Sequence, residues 1–408
     1  MVKKALDIEN YRLVIDEQTE NFVRGWVASA VDLSETVVLG VASGKKSIAV
    51  VCDKYRPDVV RAGLHKTGFC GFFIDLKSHD MKKPDIYVVG SHQGNIGNQA
   101  VLPIAFVHIP KTAGTSLRKG FHDYFDRSVI LQNYGGQENE TTPWLKELLP
   151  LDNPFSFLQK FNEAGCQIYL GHFYLKSCIT VFPHSNFLTI LRNPVDQVIS
   201  HFNHFKRWHG YQDDIVKFIK SPQFKNIQAS YLKQSRLSLL GFVGITEKYN
   251  ESVDVINSLY HIGVLKKKEN VNSKSYVEVD DDIKELIVNE NTKDVSVYNY
   301  CSDLMAERTR MSEAGHDWVY GDISLEKNKI VGCAYYFRSD REVIVQLKKS
   351  GEVVAESANV IFRGDLLKYQ VPRAGHIGFV FDVKDDPKLY TVVVKESGQA
   401  LPFAFVVD

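Results

Sequence analysis

The chain has 408 residues, enough for two to four domains, and its 44% hydrophobic and 24% charged content is ordinary for globular proteins. Lysine plus arginine equals aspartate plus glutamate, 49 of each, which argues against a general nucleic-acid or membrane-surface binder. No run of about 18 apolar residues occurs, the first residues lack an apolar stretch of signal-peptide length, and the six cysteines form no Cys-x-x-Cys pair. The expectation is a cytoplasmic protein with buried free thiols and no transmembrane segment.

Residues 1–10 read as a tail and 11–103 as an all-β module. Short apolar runs recur there: Thr36-Val-Val-Leu-Gly40, Ser47-Ile-Ala-Val-Val51, Gly71-Phe-Phe-Ile-Asp-Leu76 and Ile86-Tyr-Val-Val89. Turn residues such as Ser43-Gly44-Lys45 separate them, and this spacing predicts a small sandwich. A shift of 307 residues lays the C-terminal segment, 315–408, onto the same pattern. Gly25 meets Gly332, Gly44 meets Gly351, Arg56 meets Arg363, Asp58 meets Asp365 and Gly68 meets Gly375. Gly71-Phe72 meets Gly378-Phe379, Asp75 meets Asp382, and a shift of 300 aligns Gln99-Ala100 with Gln399-Ala400. The flanks are therefore two copies of one module. Their Arg-x-Asp pairs read as ion pairs that pin a loop between strands. Glycan binding, dimerisation and scaffolding all stay open for the copies.

The centre, 104–314, alternates strands and helices. Ile104 to Ile109 is an apolar strand, broken by Pro110. Lys111, Thr112, Ala113 and Gly114 form a turn, and Thr115 and Ser116 open a helix to about Phe125. Strand, small-residue loop with one lysine, and helix N-terminus together suit a bound phosphate: N–H groups, dipole, charge and hydroxyls all favour an anion. Residues 131–150, with Gly135-Gly136 and Pro143, read as an irregular connection, followed by a helix over 154–164 that Gly165 ends.

Cys166 to Leu170 is a second strand, and Gly171-His172-Phe173-Tyr174 lies at its carboxyl end, where parallel sheets build their sites. His172 is the candidate general base. Asn186 to Leu191 is a third strand, closed by Arg192-Asn193-Pro194, with Pro194 at the first position of a helix to Trp208. Arg192 at the strand tip and Ser200 on the helix bracket a second phosphate. His201, His204 and His209 cluster nearby without an evident set of metal ligands. Gly241 to Ile245 is a fourth strand, Thr246 reads as the N-cap of a helix over 247–259, and 281–290 and 293–312 read as helices closing on the sheet. The fold class is α/β, a parallel sheet with flanking helices, between two homologous all-β sandwich modules.

These residues resemble a family. His108-Ile-Pro-Lys-Thr-Ala-Gly-Thr-Ser116 is similar to the 5′-phosphosulfate loop of carbohydrate (polysaccharide) sulfotransferases, including those of bacterial type. Leu191-Arg-Asn-Pro-Val-Asp-Gln-Val-Ile-Ser-His201 is similar to their 3′-phosphate element. Leu170-Gly-His-Phe173 resembles the segment that carries the catalytic base in the uronyl 2-O-sulfotransferase branch, and Gly244-Ile-Thr-Glu247 followed by a helix also fits. The resemblance covers 104–314 and implies a P-loop-like fold. It also implies the donor 3′-phosphoadenosine 5′-phosphosulfate (PAPS), the product 3′-phosphoadenosine 5′-phosphate (PAP), a carbohydrate acceptor and no required metal. Carried over, Lys111, Thr112, Ala113, Gly114, Thr115 and Ser116 hold the 5′-phosphosulfate, and Arg192 and Ser200 the 3′-phosphate. His172 takes the acceptor proton, and Lys111 stabilises the leaving phosphate.

Two other classes compete. A nucleotide-dependent phosphotransferase shares the strand–loop–helix start, but its loop runs Gly-x4-Gly-Lys-Ser/Thr, whereas here the lysine precedes the glycine and the first glycine is missing. A non-catalytic glycan-binding protein would not need the loop, arginine, serine and histidine together.

Overall fold

The first strand pairs the supposed tail into a sheet. β1 (Lys4–Ile8) lies antiparallel to β2 (Tyr11–Gln18), with Lys4 opposite Ile15 and Ile8 opposite Tyr11. The computed structural model describes residues 4–8, 10–43, 46–77, 79–91, 103–136, 138–148, 154–179, 181–260, 262–266, 279–337 and 339–408. The landmarks Gly44, Lys45, Gln99 and Ala100 lie outside the described residues.

After β2 come β3 (Phe22–Ser29), β4 (Val37–Ser43), β5 (Lys46–Val51), β6 (Lys54–Tyr55), helix α1 (Pro57–Arg61), β7 (Phe69–Asp75) and β8 (Asp85–Ser91). They form two antiparallel sheets, ordered β1-β2-β3-β7-β6 and β5-β4-β8. Alternation decides which face is buried. Leu13 and Ile15 of β2, Val23 and Val27 of β3, Val37, Leu39 and Val41 of β4, and Phe72 and Ile74 of β7 meet in one apolar core.

The centre opens with β9 (Ile104–Val107), α2 (Gly114–Tyr124), β10 (Ile130–Asn133), α3 (Pro143–Leu148), α4 (Pro154–Glu163) and β11 (Ile168–Gly171). It continues with β12 (Phe187–Leu191), α5 (Pro194–Trp208), α6 (Ile215–Lys220), α7 (Ile227–Tyr231), β13 (Phe242–Ile245), α8 (Tyr249–Tyr260), α9 (Asp281–Glu290) and α10 (Thr292–Glu313). The five strands form one parallel sheet, ordered β10-β11-β9-β12-β13. β9, β11, β12 and β13 are buried along their whole length, as strands covered on both faces must be. The chain leaves β9 towards one edge, returns, and crosses to the other side at β12. The carboxyl ends around β9 therefore border the crevice that such a reversal creates.

Three features of the centre depart from the sequence reading. The connection after α2 contains an edge strand, β10, and a helix, α3, where only irregular chain is expected. Helix α9 shares an apolar cluster with α5 and α6 (Ile287 with Val198, Phe202, Phe218 and Ile219), and α10 is the helix that packs on β13. The last residues, Pro402–Asp408, belong to the α/β unit and not to the second copy. There the Gln234 N–H donates to the Val407 carbonyl (2.7 Å), and the Tyr300 hydroxyl donates to the Phe403 carbonyl (2.7 Å).

The second copy comprises β14 (Val319–Glu326), β15 (Lys329–Tyr336), β16 (Ile344–Lys349), β17 (Glu352–Ala358), β18 (Ile361–Phe362), β19 (His376–Asp382) and β20 (Tyr390–Val394). Its sheet orders, β14-β15-β19-β18 and β17-β16-β20, repeat those of the first copy without β1. β15, β18 and β19 coincide end to end with β3, β6 and β7 at the shift of 307. The Arg-x-Asp pairs are bidentate in both copies. Arg56 Nε and Nη2 lie 2.9 and 2.6 Å from the Asp58 carboxylate, and the same atoms of Arg363 lie 2.8 and 2.7 Å from that of Asp365. Both copies fall in one compact unit, where the buried Thr36 hydroxyl donates to Asp340 at 3.0 Å. No helix among the described residues is long and apolar enough to cross a membrane.

Candidate functional site

The loop after β9 is strained and tied down. Lys111 and Ala113 have φ of 68° and 64°, the left-handed region, at a cost of about 1–3 kcal/mol each. Four contacts hold this shape. The Thr112 hydroxyl donates to the Ile109 carbonyl (3.0 Å), and Gln197 Nε2 of α5 donates to the Pro110 carbonyl (3.1 Å). Arg192 Nη1 donates to the Lys111 carbonyl (3.4 Å). The Thr246 hydroxyl shares its proton between the carbonyls of Thr112 (3.0 Å) and Leu191 (2.9 Å).

Four consecutive loop carbonyls, 109 to 112, are thus turned onto the surrounding protein. The N–H groups of Ala113, Gly114 and Thr115 meet no backbone carbonyl among the described residues, which is the arrangement of an anion-binding nest. Gly114 is required by close approach, since a Cβ there would lie 2.0 Å from the His108 ring. Thr112 is buried, so its hydroxyl serves the loop and only its backbone is left for a ligand. Ser116 is also buried, and Thr115 is half-buried beside it. Thr246, expected as a helix N-cap, instead ties the loop to the tip of β12.

Charge converges on the same place. Burial pushes the Lys111 ammonium below its ordinary value, and the Arg192 guanidinium adds to the shift. No carboxylate offsets either effect on Lys111, and neither side chain has an acid partner among the described residues. Two partly buried cations side by side without a counter-ion are costly unless an anion joins them.

The backbone of Arg192 is held by Gln228 of α7. Its amide donates to Gln228 Oε1, and Gln228 Nε2 donates back to its carbonyl, both at 2.9 Å. Asp294 of α10 in turn accepts from the N–H groups of Gln228 (3.2 Å) and Ala229 (2.7 Å). Asn193 caps α5 by accepting from the Val195 N–H at 3.0 Å, and Pro194 opens the helix as expected. Ser200 is half-buried on α5, one turn beyond Gln197, on the face that Gln197 turns to the loop.

His172 follows β11 directly. Gly171 lets β10 and β11 approach closely, since a Cβ there would lie 1.8 Å from the Asn133 carbonyl oxygen. The His172 N–H donates to that oxygen at 2.7 Å. Its Nδ1 lies 2.6 Å from the His108 carbonyl oxygen. A carbonyl only accepts, so Nδ1 carries the proton and Nε2 presents a lone pair. Burial holds the imidazole below its ordinary value and so in its neutral form, although the His108 bond opposes the shift.

The His108 and His172 rings lie 4.5 Å apart, and burial keeps His108 neutral as well. His108 Nδ1 bonds the Tyr134 hydroxyl (3.2 Å), and Arg118 stands over the Tyr134 ring at 5.2 Å. His201 is pulled down to about 4 by burial, then by His204 and Lys111, so the α5 histidines lie within reach of the loop's charge.

The structure brings Lys111–Ser116, Arg192 and His172 together at the carboxyl edge of β9, β12 and β11. Gln197, Gln228, Tyr134 and Asp294 are supporting residues to which sequence reasoning gave no role, and Thr246 takes a role other than the expected helix cap. Each acts through a partner distant in the chain. Fold and site define a mixed α/β protein with a cation-lined loop at the edge of a five-stranded parallel sheet. No protein-family model matches the chain, and no curated protein matches it in sequence.

Proposed function

We propose that the chain is a PAPS-dependent carbohydrate O-sulfotransferase, with a P-loop-like centre between two small β-sandwich modules. One observation carries the reading. Lys111 and Arg192, without acid partners among the described residues, meet at a loop whose Ala113, Gly114 and Thr115 N–H groups reach no backbone carbonyl among the described residues, and the carbonyl of His108, just ahead of that loop, holds the neutral His172. An anion with two charged ends and a base beside one of them are what sulfuryl transfer from this donor needs.

In this reading the N–H groups of the loop, Lys111, Thr115 and Ser116 hold the 5′-phosphosulfate, and Arg192 with Ser200 holds the 3′-phosphate. The acceptor hydroxyl gives its proton to Nε2 of His172 while its oxygen bonds to sulfur. The bond between sulfur and the bridging oxygen breaks, and its electron pair stays on the 5′-phosphate, where Lys111 neutralises the growing charge. Such a transfer depends on in-line positioning and charge stabilisation more than on covalent chemistry. Burial supports the base role, because it leaves His172 unprotonated at neutral pH.

The test is transfer of labelled sulfate from PAPS to a panel of polysaccharides, alongside calorimetry with PAP. Binding of PAP and label in one polysaccharide are expected. No heat and no thermal shift at millimolar PAP would remove the reading. Transfer from a nucleoside triphosphate, dependent on magnesium, would replace it with phosphotransfer.

A further inference from the structure

A cavity of about 400 Å³ runs along β10, the outermost strand of the parallel sheet. Its size falls in the range of small-molecule sites, roughly 300–1,000 Å³. Gln132 of β10, Asn139, Glu140, Thr142 and Trp144 of α3 are among its walls. None of Lys111–Ser116, Arg192 or His172 lines it, so it is separate from the donor grip.

It is nevertheless joined to the base. Glu140 pairs with Arg118 at 2.7 Å, Arg118 covers the Tyr134 ring, and that ring stands edge-on to His172 with centroids 4.9 Å apart. The order across the sheet matters. Arg192 follows β12, the loop follows β9, His172 follows β11, and the cavity borders β10. The cavity reaches from the chain ahead of β10 and β11, at Arg127, Ser128, Ala164 and Cys166, to Glu140, and its link to His172 runs through that Glu140 end.

We infer that this cavity is an acceptor subsite, holding a saccharide unit adjacent to the one that is sulfated. The inference rests on the sulfotransferase reading. Trp144 offers a flat apolar ring to the C–H face of a pyranose. Asn139 offers a side-chain amide that donates and accepts, as sugar hydroxyls do. Gln132 Oε1 already meets His122 Nε2 (3.2 Å) and the Thr142 hydroxyl accepts from the Gln132 N–H (3.1 Å), which leaves the Gln132 Nε2 and the Thr142 O–H to donate. The acid among the cavity's walls, Glu140, already has a cation.

The test uses the full chain as wild type, Trp144→Ala and Trp144→Phe. Saturation-transfer NMR is run with maltose, cellobiose, diacetylchitobiose and a hyaluronan disaccharide, and calorimetry is run with PAP. One disaccharide should bind the wild type, be lost in Trp144→Ala and return in Trp144→Phe, with the PAP Kd equal in all three. In transfer assays Trp144→Ala should raise the acceptor KM by about tenfold or more with kcat nearly unchanged. If PAP binds but no disaccharide does, or if the sugar signal ignores Trp144, the inference is overturned. Weaker PAP binding by Trp144→Ala, with binding restored in Trp144→Phe, would assign the cavity to the donor and overturn it too. Failure of the wild type to bind PAP removes the sulfotransferase reading instead, and a Trp144-dependent sugar signal would then still mark a saccharide site.

Discussion

Nδ1 of His172 lies 2.6 Å from the carbonyl oxygen of His108, so the strand that feeds the anion loop also sets the tautomer of the histidine beside it. The proton held at Nδ1 is what leaves Nε2 free to act. His172→Ala should therefore lower transfer by about 10²- to 10⁴-fold, the usual worth of a positioned base. PAP affinity, measured by calorimetry, should change little. Persisting transfer would take His172 out of the mechanism.

The pH profile follows from two lowered values. Burial holds His172 below 6.5 and Lys111 below 10.5. The rate should rise as His172 loses its proton below pH 6.5, and fall again before pH 10.5 as Lys111 loses its own. For stability, the unfolded chain binds the extra proton at His172, so its contribution is present above pH 6.5 and is lost as pH drops through the folded value. A rate that is flat across both windows would contradict these assignments.

Lys111 can be removed without breaking the loop. Its φ of 68° suits glycine, so Lys111→Gly relieves backbone strain while deleting the charge. Thermal stability should hold or rise. Transfer should fall by about 10²- to 10³-fold, as when a charge-stabilising group is deleted, and PAP binding should weaken. Unchanged activity in this well-folded variant would show that the lysine does not face the reacting phosphate.

Arg192→Ala tests the second phosphate. It should reduce the preference for PAP over adenosine 5′-phosphate, read as the ratio of their Kd values, and leave adenosine 5′-phosphate binding nearly intact. A ratio that does not move would mean that Arg192 serves the loop alone, through the Lys111 carbonyl.

Asp294 supports Arg192 from a distance. Asp294→Ala strands the N–H groups of Gln228 and Ala229, at a cost of about 1–3 kcal/mol for each group left unpaired. Burial raises the Asp294 carboxyl from 3.8 to about 6. Its contribution is therefore full below pH 3.8 and is lost as pH rises through about 6. Asp294→Asn does not titrate, so its stability should gain on the wild type across that window. Parallel denaturation curves at several pH values would show this.

Much of the parallel sheet is legible in the sequence because β9, β11, β12 and β13 are short and mostly apolar, and turn or polar residues follow them. Phe187–Leu191 before Arg192-Asn193-Pro194 is the clearest case. The repeat is legible because its landmark glycines and Arg-x-Asp pairs keep one spacing. β10 escapes because Val129-Ile130-Leu131 is a minimal apolar run between Ser128 and Gln132, and such an edge strand is defined by its neighbour β11.

By itself the sequence determined which groups are available: a lysine in a small-residue turn, a histidine and an arginine at strand ends, and a hydroxyl on the following helix. The tertiary structure alone decided what they face. It turned the Thr112 hydroxyl inward, redirected Thr246 from a helix cap to a carbonyl 134 residues away, and held Arg192 through Gln228 and Asp294. Helix and strand patterns are local and leave a periodic trace in the chain. The partner of a buried hydrogen-bonding group is chosen by three-dimensional packing, which local sequence does not record.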